Sequence, residues 1–384
     1  MRQVVVIGVG LSKFGRFPEK SFEDLTYPAI EHALEDAGIS FKDIEVAFCG
    51  VVESGVYDSR RVVQNFGWTG IMIHSLSQAS GSSAAAFRVA YWLIAAGYYD
   101  TALVVGYEKM PKGLIAGTLF PGTSHLDVMG LDPIPARVAL EMRKRMQLYN
   151  EPLQAFATVA AQASEYAALN PHAHYQVKHS VEEVMNSPVI ADPLTLYMCC
   201  PVSDGASAAI ICSAQKARRL GVLKRAVYVA GAACASPQVD DLVGGPGADI
   251  GGDFKGGNVT RRLAAELYNK TGIGPNDIDV AQMHDPFTHA VFVDLEALGF
   301  CKEGEAGRFV LEGNLGPQGK IPTNTDGGLL CKGHPMGATG TAQVAEIVKQ
   351  LRGEAGPRQV PGNPKVGLTH SSGAGMMNLH MLKK

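Results

Sequence analysis

Apolar and polar positions divide the chain into short continuous apolar runs separated by amphipathic segments. Val4-Val5-Val6-Ile7, Thr101-Ala102-Leu103-Val104-Val105 and Val227-Tyr228-Val229-Ala230 are apolar without alternation, the pattern of strands buried on both faces. Leu25 to Leu34 and Val259 to Leu267 instead carry apolar residues at helical spacing, which predicts helices with one buried stripe. Strands and helices that alternate in this way predict an α/β fold with covered sheets. The most apolar stretch, Val89 to Gly97, is far short of the ~20 residues a membrane span requires. It reads as part of a buried helix.

The pattern repeats. Ala37-Gly38-Ile39-Ser40-Phe41-Lys42-Asp43-Ile44-Glu45-Val46-Ala47 matches Thr271-Gly272-Ile273-Gly274-Pro275-Asn276-Asp277-Ile278-Asp279-Val280-Ala281, an offset of 272 − 38 = 234 residues. Each copy ends a helix at glycine, turns and enters a buried strand. A second pair follows: Gly81-Ser82-Ser83-Ala84 opens a helix before the Thr101 strand, and Gly337-Ala338-Thr339-Gly340 opens one before Lys365-Val366-Gly367-Leu368-Thr369. Two related α/β halves are therefore expected, residues 1–110 with 196–222, and 223–384. Residues 111–195, rich in Pro, Tyr, His and Met, break the pattern and read as an inserted loop domain.

Composition narrows the partners. The chain of 384 residues carries 34 Lys+Arg against 37 Asp+Glu, a net charge of −3, so it lacks the clustered basic charge of a nucleic-acid footprint. Glycine accounts for 44 residues, above the usual ~7%, which suits closely packed layers. Seven cysteines in no disulfide-rich spacing fit reduced thiols in a cytoplasm, and Met1-Arg2-Gln3 runs straight into a strand without a secretory leader. A cytoplasmic protein that neither spans a membrane nor binds nucleic acid is expected.

Candidate chemistry collects at glycine-rich turns. Gln78-Ala79-Ser80-Gly81 and Gly333-His334-Pro335-Met336-Gly337 open equivalent helices, whose free N–H groups favour developing negative charge. His284-Asp285-Pro286-Phe287 and His370-Ser371-Ser372-Gly373-Ala374-Gly375 each follow a predicted strand, and ligands of open α/β sheets bind at such ends. A lone histidine is ordinarily a buried side chain satisfied by backbone. Three of them, each expected just past a different strand, favour a convergent site. Two other patterns carry less. His172-x-His174-x4-His179 has no Cys or carboxylate at ligand spacing and reads as surface histidines, and Gly8-x-Gly10 lacks the third glycine of a dinucleotide turn.

These motifs resemble the thiolase superfamily and, within it, the sterol-carrier-protein-type thiolases that are also called lipid-transfer proteins. The resemblance rests on Gly327 to Gly340, on His284-Asp285-Pro286-Phe287, and on Cys199-Cys200-Pro201-Val202-Ser203-Asp204-Gly205-Ala206, Tyr107-Glu108-Lys109-Met110 and Leu351-Arg352-Gly353-Glu354-Ala355-Gly356. It runs nearly end to end. It implies a thiolase fold of five αβαβα layers with a loop domain, a homodimer or a heteromer with a homologous thiolase chain, and an acyl-CoA substrate. A small zinc-ribbon/OB-fold partner is a further implication. Coenzyme A would enter as part of the substrate, with no separate cofactor and no metal.

In that family a cysteine at the first helix start takes the acyl group and the GHP histidine activates it. The HDxF histidine helps hold an enolate oxygen, and a C-terminal Cys or His moves a proton. By motif, His334, His284 and His370 carry the last three roles, with Gly81, Phe287, Gly373 and Gly375 lining the substrate. The cysteine position holds Gln78, and no cysteine lies between Cys49 and Cys199. Ser77 or Ser80 could substitute, but a hydroxyl ionises far less readily than a thiol of pKa ≈ 8.5. The expected chemistry is therefore C–C bond making or breaking beside a thioester without acyl-cysteine, by aldol-type cleavage or decarboxylation. Two alternatives remain: a non-catalytic acyl-CoA-binding subunit beside a cysteine-bearing homologue, and an ordinary thiolase with an altered nucleophile.

Overall fold

The computed structural model describes residues 1–52, 57–111, 133–238 and 257–384. Its strands are β1 (Val4–Leu11), β2 (Val46–Gly50), β3 (Met72–Leu76), β4 (Thr101–Glu108), β5 (Val189–Ala191), β6 (Leu194–Thr195), β7 (Gly205–Ser213), β8 (Val227–Ala235), β9 (Val280–Gln282), β10 (Val366–Gly373) and β11 (Met376–Lys383). The helices are α1 (Phe22–Ala37), α2 (Ser59–Gln64), α3 (Ser82–Ala96), α4 (Ile134–Tyr149), α5 (Leu153–Ala168), α6 (Val181–Met185), α7 (Ala214–Arg219), α8 (Gly257–Thr271), α9 (Thr288–Ala297), α10 (Ala306–Leu311) and α11 (Thr339–Arg352).

The duplication is visible in the strand order. One half orders its strands β3-β2-β4-β7-β1 and the other β8-β11-β10-β9, with Thr323 bridging Ala281 on the outer side of β9. The halves join where β1 meets β8 through Val5–Tyr228 and Val6–Val227. The matching helix ends follow one recipe. Gly38 (φ 65°) closes α1 and Gly272 (φ 69°) follows α8, taking the left-handed conformation that costs glycine least. In the turns that follow, Asp43 accepts from the Ser40 N–H at 3.0 Å and Asp277 from the Gly274 N–H at 2.8 Å.

Five layers result. Helix α1 covers β1, β4 and β7, while α8 covers β8 and β11. Between the two sets of strands lie α3 and α11, packed on each other and on strands of both halves. Small residues make that approach geometrically possible. A methyl group on Gly340 would fall 2.4 Å from the Ala84 nitrogen, and one on Gly106 would fall 2.5 Å from the Gly337 carbonyl. Ser83 Oγ accepts from the Thr341 N–H at 3.0 Å across the same contact. Of the region expected as a loop domain, residues 112–132 lie outside the described residues. The rest forms α4, α5, α6 and the β5–β6 hairpin, with α5 packed on α9, α10 and the turn at 328–332.

Two ionic ties fasten the frame. Arg352, from α11, donates to Asp36 Oδ2 at 2.7 Å and to the Ile7 carbonyl at 2.9 Å, where β1 shifts register between Val6 and Gly8. Arg225 reaches the same carboxylate at 2.5 Å. Burial opposes ionisation of Asp36, yet Arg352 and Arg225 hold it below the usual carboxylate range. Elsewhere Arg145 forks between Glu151 (2.8 and 2.9 Å) and Glu296 (2.5 and 2.9 Å), joining α4 to α9. Glu296 also accepts from the Gly304 N–H and Glu151 from the Gly307 N–H. Arg145→Ala would strand two buried carboxylates, a change worth ~3–5 kcal/mol. Urea unfolding of that variant is expected to lose stability of this size, and an unchanged midpoint would contradict the role.

Candidate active site

The first element of the site is a strained turn. Gln78-Ala79-Ser80-Gly81 leads into α3 with Ala79 at φ 43°, a conformation that costs a residue with a Cβ and persists only where surroundings enforce it. Here Ser82 enforces it: its Oγ accepts from the Gln78 N–H at 2.8 Å and donates to the Ala79 carbonyl at 2.6 Å. The end of β10 presses on this turn from the other half. A methyl on Gly373 would fall 2.1 Å from the Gln78 carbonyl and 2.4 Å from the Gly81 nitrogen, so only glycine allows the contact.

The second element brings His334. A π-helical turn at Gly328–Lys332, entered and left by glycines with positive φ, precedes it; such turns are frequent at functional sites. Buried Lys332 pairs with Asp326 there. His334 Nε2 lies 2.9 Å from Ser80 Oγ and Nδ1 lies 2.8 Å from Thr339 Oγ1. Thr339 donates its hydroxyl proton to the Pro335 carbonyl at 3.2 Å and so must accept from Nδ1–H. The network assigns the tautomer: Nε2 carries the lone pair that meets the Ser80 hydroxyl. The resulting hydroxyl–imidazole–hydroxyl order spans both halves.

His284 stands at right angles to His334, ring centroids 5.4 Å apart and planes at 75°. It follows β9, and its Nδ1 is buried with no hydrogen-bond partner among the described residues. Burial pushes both imidazoles down, His334 to about 3 with a contribution from Lys332, and His284 well below its usual range with contributions from His334 and His370. Next to His284, Asp285 accepts from the Leu329 N–H at 2.7 Å, and burial raises its carboxyl to about 8. Phe287 caps α9 and bridges Cys199. Cys49, Cys199, Cys212, Cys301 and Cys331 are pushed up to about 12 by burial, and Cys200 is pushed up in the same way. None of these six has the depressed pKa of an activated thiol.

His370 departs from the expected position. It lies inside β10 rather than past its end, because pairing with β11 carries the strand on to Gly373. Its ring is held by α8 and α9, with Nε2 3.2 Å from Thr260 Oγ1 and Nδ1 2.9 Å from Asp294 Oδ2. His334 likewise follows the π turn rather than a strand. Ala374 (φ 51°) and Gly375 (φ 72°) form the two-residue β10–β11 turn, for which Gly375 has the required freedom. Histidines 172, 174 and 179 go to three separate partners: Ser12, Ser203 and the Tyr197 ring. Thr339 and Asn378 were not singled out from the sequence. The available signal for Asn378 was one amide within the otherwise apolar run Met376-Met377-Asn378-Leu379.

The depressed histidines fix a pH response. An unfolded histidine takes up its proton near 6.5, so the unfolded chain binds more protons and stability falls as pH drops from there toward about 3. Denaturant unfolding at pH 7.5 and 5.5 is expected to show lower stability at 5.5. NMR is expected to show His334 neutral throughout; a His334 midpoint near 6.5 would contradict the buried assignment.

Comparison with known proteins identifies the family. The thiolase N-terminal domain profile matches residues 4–215 and the thiolase C-terminal domain-like profile residues 253–382. Sterol carrier protein 2 of Bos taurus is 36% identical over 97% of this chain and 70% of its own length. The acetyl-CoA acetyltransferase of Methanothermobacter thermautotrophicus is 35% identical, over 97% of both chains. Benzoylsuccinyl-CoA thiolase subunit BbsB of Thauera aromatica is 33% identical over 97% of this chain and 95% of its own. Among solved structures, an Ltp2-ChsH2(DUF35) aldolase superposes with TM-score 0.83 at 26% identity, covering 99% of this chain and 97% of that one. Human mitochondrial 3-ketoacyl-CoA thiolase, at TM-score 0.74 and 16% identity over 100% and 99% of the two chains, shares the fold. With both of its halves matched and its relatives spanning nearly its whole length, this chain belongs to the thiolase superfamily, as a sterol-carrier-protein-2-type member.

Proposed function

We propose that this chain cleaves or forms the C2–C3 bond of a 3-hydroxyacyl-CoA by aldol chemistry, without an acyl-cysteine intermediate. The observation that carries this reading is Gln78 at the turn where the family places its cysteine, two residues before Ser80, whose hydroxyl meets the lone pair of a neutral His334. In the cleavage direction the 3-hydroxyl loses its proton to His334, directly or through Ser80. The C2–C3 electrons move into the thioester as an enolate, and a ketone or aldehyde leaves. The enolate then regains the proton at C2, giving a shortened acyl-CoA.

The electrostatics suit that sequence. An imidazole whose pKa is near 3 takes a proton only as negative charge grows beside it, which couples its protonation to enolate formation. His284, neutral and perpendicular to His334, is placed to donate to the enolate oxygen, with Gly81, Phe287, Gly373 and Gly375 around the acyl group. His370, held by Thr260 and Asp294, acts as a positioning residue. The solved aldolase neighbour supports this reading. Its two-component name and that of the BbsB subunit support work within a complex. The outer edge of β3, with Met72 exposed, supports pairing with a second thiolase chain.

One observation favours a second reading. The Ser80–His334–Thr339 order is also that of an activated hydroxyl, which would form an acyl-serine. Mass spectrometry of the chain after incubation with acyl-CoA separates the two. The aldol reading expects no adduct, together with release of a ketone or aldehyde from a 3-hydroxyacyl-CoA. An acyl group on Ser80 would overturn it. His334→Ala is expected to lower that turnover by about 100-fold or more, and unchanged turnover would remove His334 from the mechanism.

A further inference from the structure

Two carboxamides at the start of α3 have no partner. Gln78 Nε2 and both polar atoms of Asn378 are buried without a hydrogen bond among the described residues. Gln78 is 5% exposed and Asn378 fully buried. Leaving buried amides unpaired is costly, and β11 does not call for one. Met377, Leu379 and Met381 are buried and apolar on the other face of β11, whereas Asn378 shares its face with buried His380 and pairs with Ser371 and Cys234, none of which bonds its amide.

Both amides converge on Gly81. A methyl group there would lie 3.1 Å from Asn378 Nδ2 and 3.5 Å from Gln78 Cδ. Gly81 is the N-cap of a 15-residue helix and makes no side-chain capping hydrogen bond to it. The positive end of α3, Gln78 Nε2 and the Asn378 amide thus meet at one place, where glycine lets both carboxamides approach the helix start. It lies within the same turn as Ser80, which meets His334.

We infer that Gln78 and Asn378 form a carboxamide clamp for the oxygen on the third carbon of the acyl chain. That oxygen is the 3-hydroxyl before cleavage and the carbonyl oxygen of the released ketone or aldehyde afterwards. The inference rests on the aldol reading, in which side chain 78 faces the carbon that departs. A hydroxyl both donates and accepts, and a carbonyl accepts from both amides, so the clamp serves substrate and product. A saturated acyl chain would leave both amides unpaired, the arrangement by which buried polar groups reject analogues lacking a partner oxygen.

Calorimetric binding of a 3-hydroxyacyl-CoA and of the saturated acyl-CoA with the same skeleton tests the clamp without requiring turnover. The wild-type chain is expected to prefer the hydroxylated ligand by about tenfold. Gln78→Met and Asn378→Leu are each expected to erase that preference while keeping the affinity for the saturated ligand. Asn378→Leu is further expected to melt at or above the wild-type temperature, since its amide has no partner to lose among the described residues. A preference that survives in Asn378→Leu, an absent preference in the wild type, or a destabilised Asn378→Leu would each overturn the clamp. If the wild type binds neither acyl-CoA, the aldol reading beneath it falls as well.

Discussion

The contact between the turn before α3 and the end of β10 is the constraint on which the site depends. Each half contributes one strained or glycine-rich turn, and neither turn forms the site in isolation. Gly373 must lack a side chain for the Gln78 carbonyl and Gly81 nitrogen to come close, and Ser82 must hold Ala79 in its left-handed conformation. Only then do Ser80 and His334, 254 positions apart in the chain, come to 2.9 Å. The five layers serve this end, with Gly340 against Ala84 setting how closely α3 and α11 can lie.

Burial then decides the chemistry. In water these imidazoles would be partly protonated near neutral pH; at this interface they are neutral, and a neighbouring carboxyl is shifted toward its protonated form. The site therefore holds little fixed charge. Most of its polarity comes from dipoles: hydroxyls, amides, imidazole N–H groups and the start of α3. Such an environment stabilises charge that appears during a reaction better than charge already present, because fixed dipoles need no reorganisation.

Much of this was legible in the chain. The 234-residue offset revealed the duplication because both copies solve one local problem, closing a helix with left-handed glycine and entering a buried strand. The glycine-rich turns and the Gln78 substitution were equally readable, being contiguous. What escaped depends on partners distant in sequence. The extent of β10 is set by pairing with β11, which carries His370 into the strand interior, past the end expected at Thr369. The environment of Asn378 arises from α3, almost 300 positions earlier. Thr339 reads as an ordinary first-turn residue until its hydroxyl is seen under the His334 ring.

Arg352 carries a consequence beyond the site. It belongs to the last long helix, yet its guanidinium satisfies carbonyls of the first strand and a carboxylate of the first helix. Were the earlier half to form alone, it would expose that kinked backbone and leave Asp36 without this counter-charge; the later half alone would leave the Arg352 guanidinium only Glu354 and the Arg225 carbonyl. Neither repeat is thus a self-sufficient folding module.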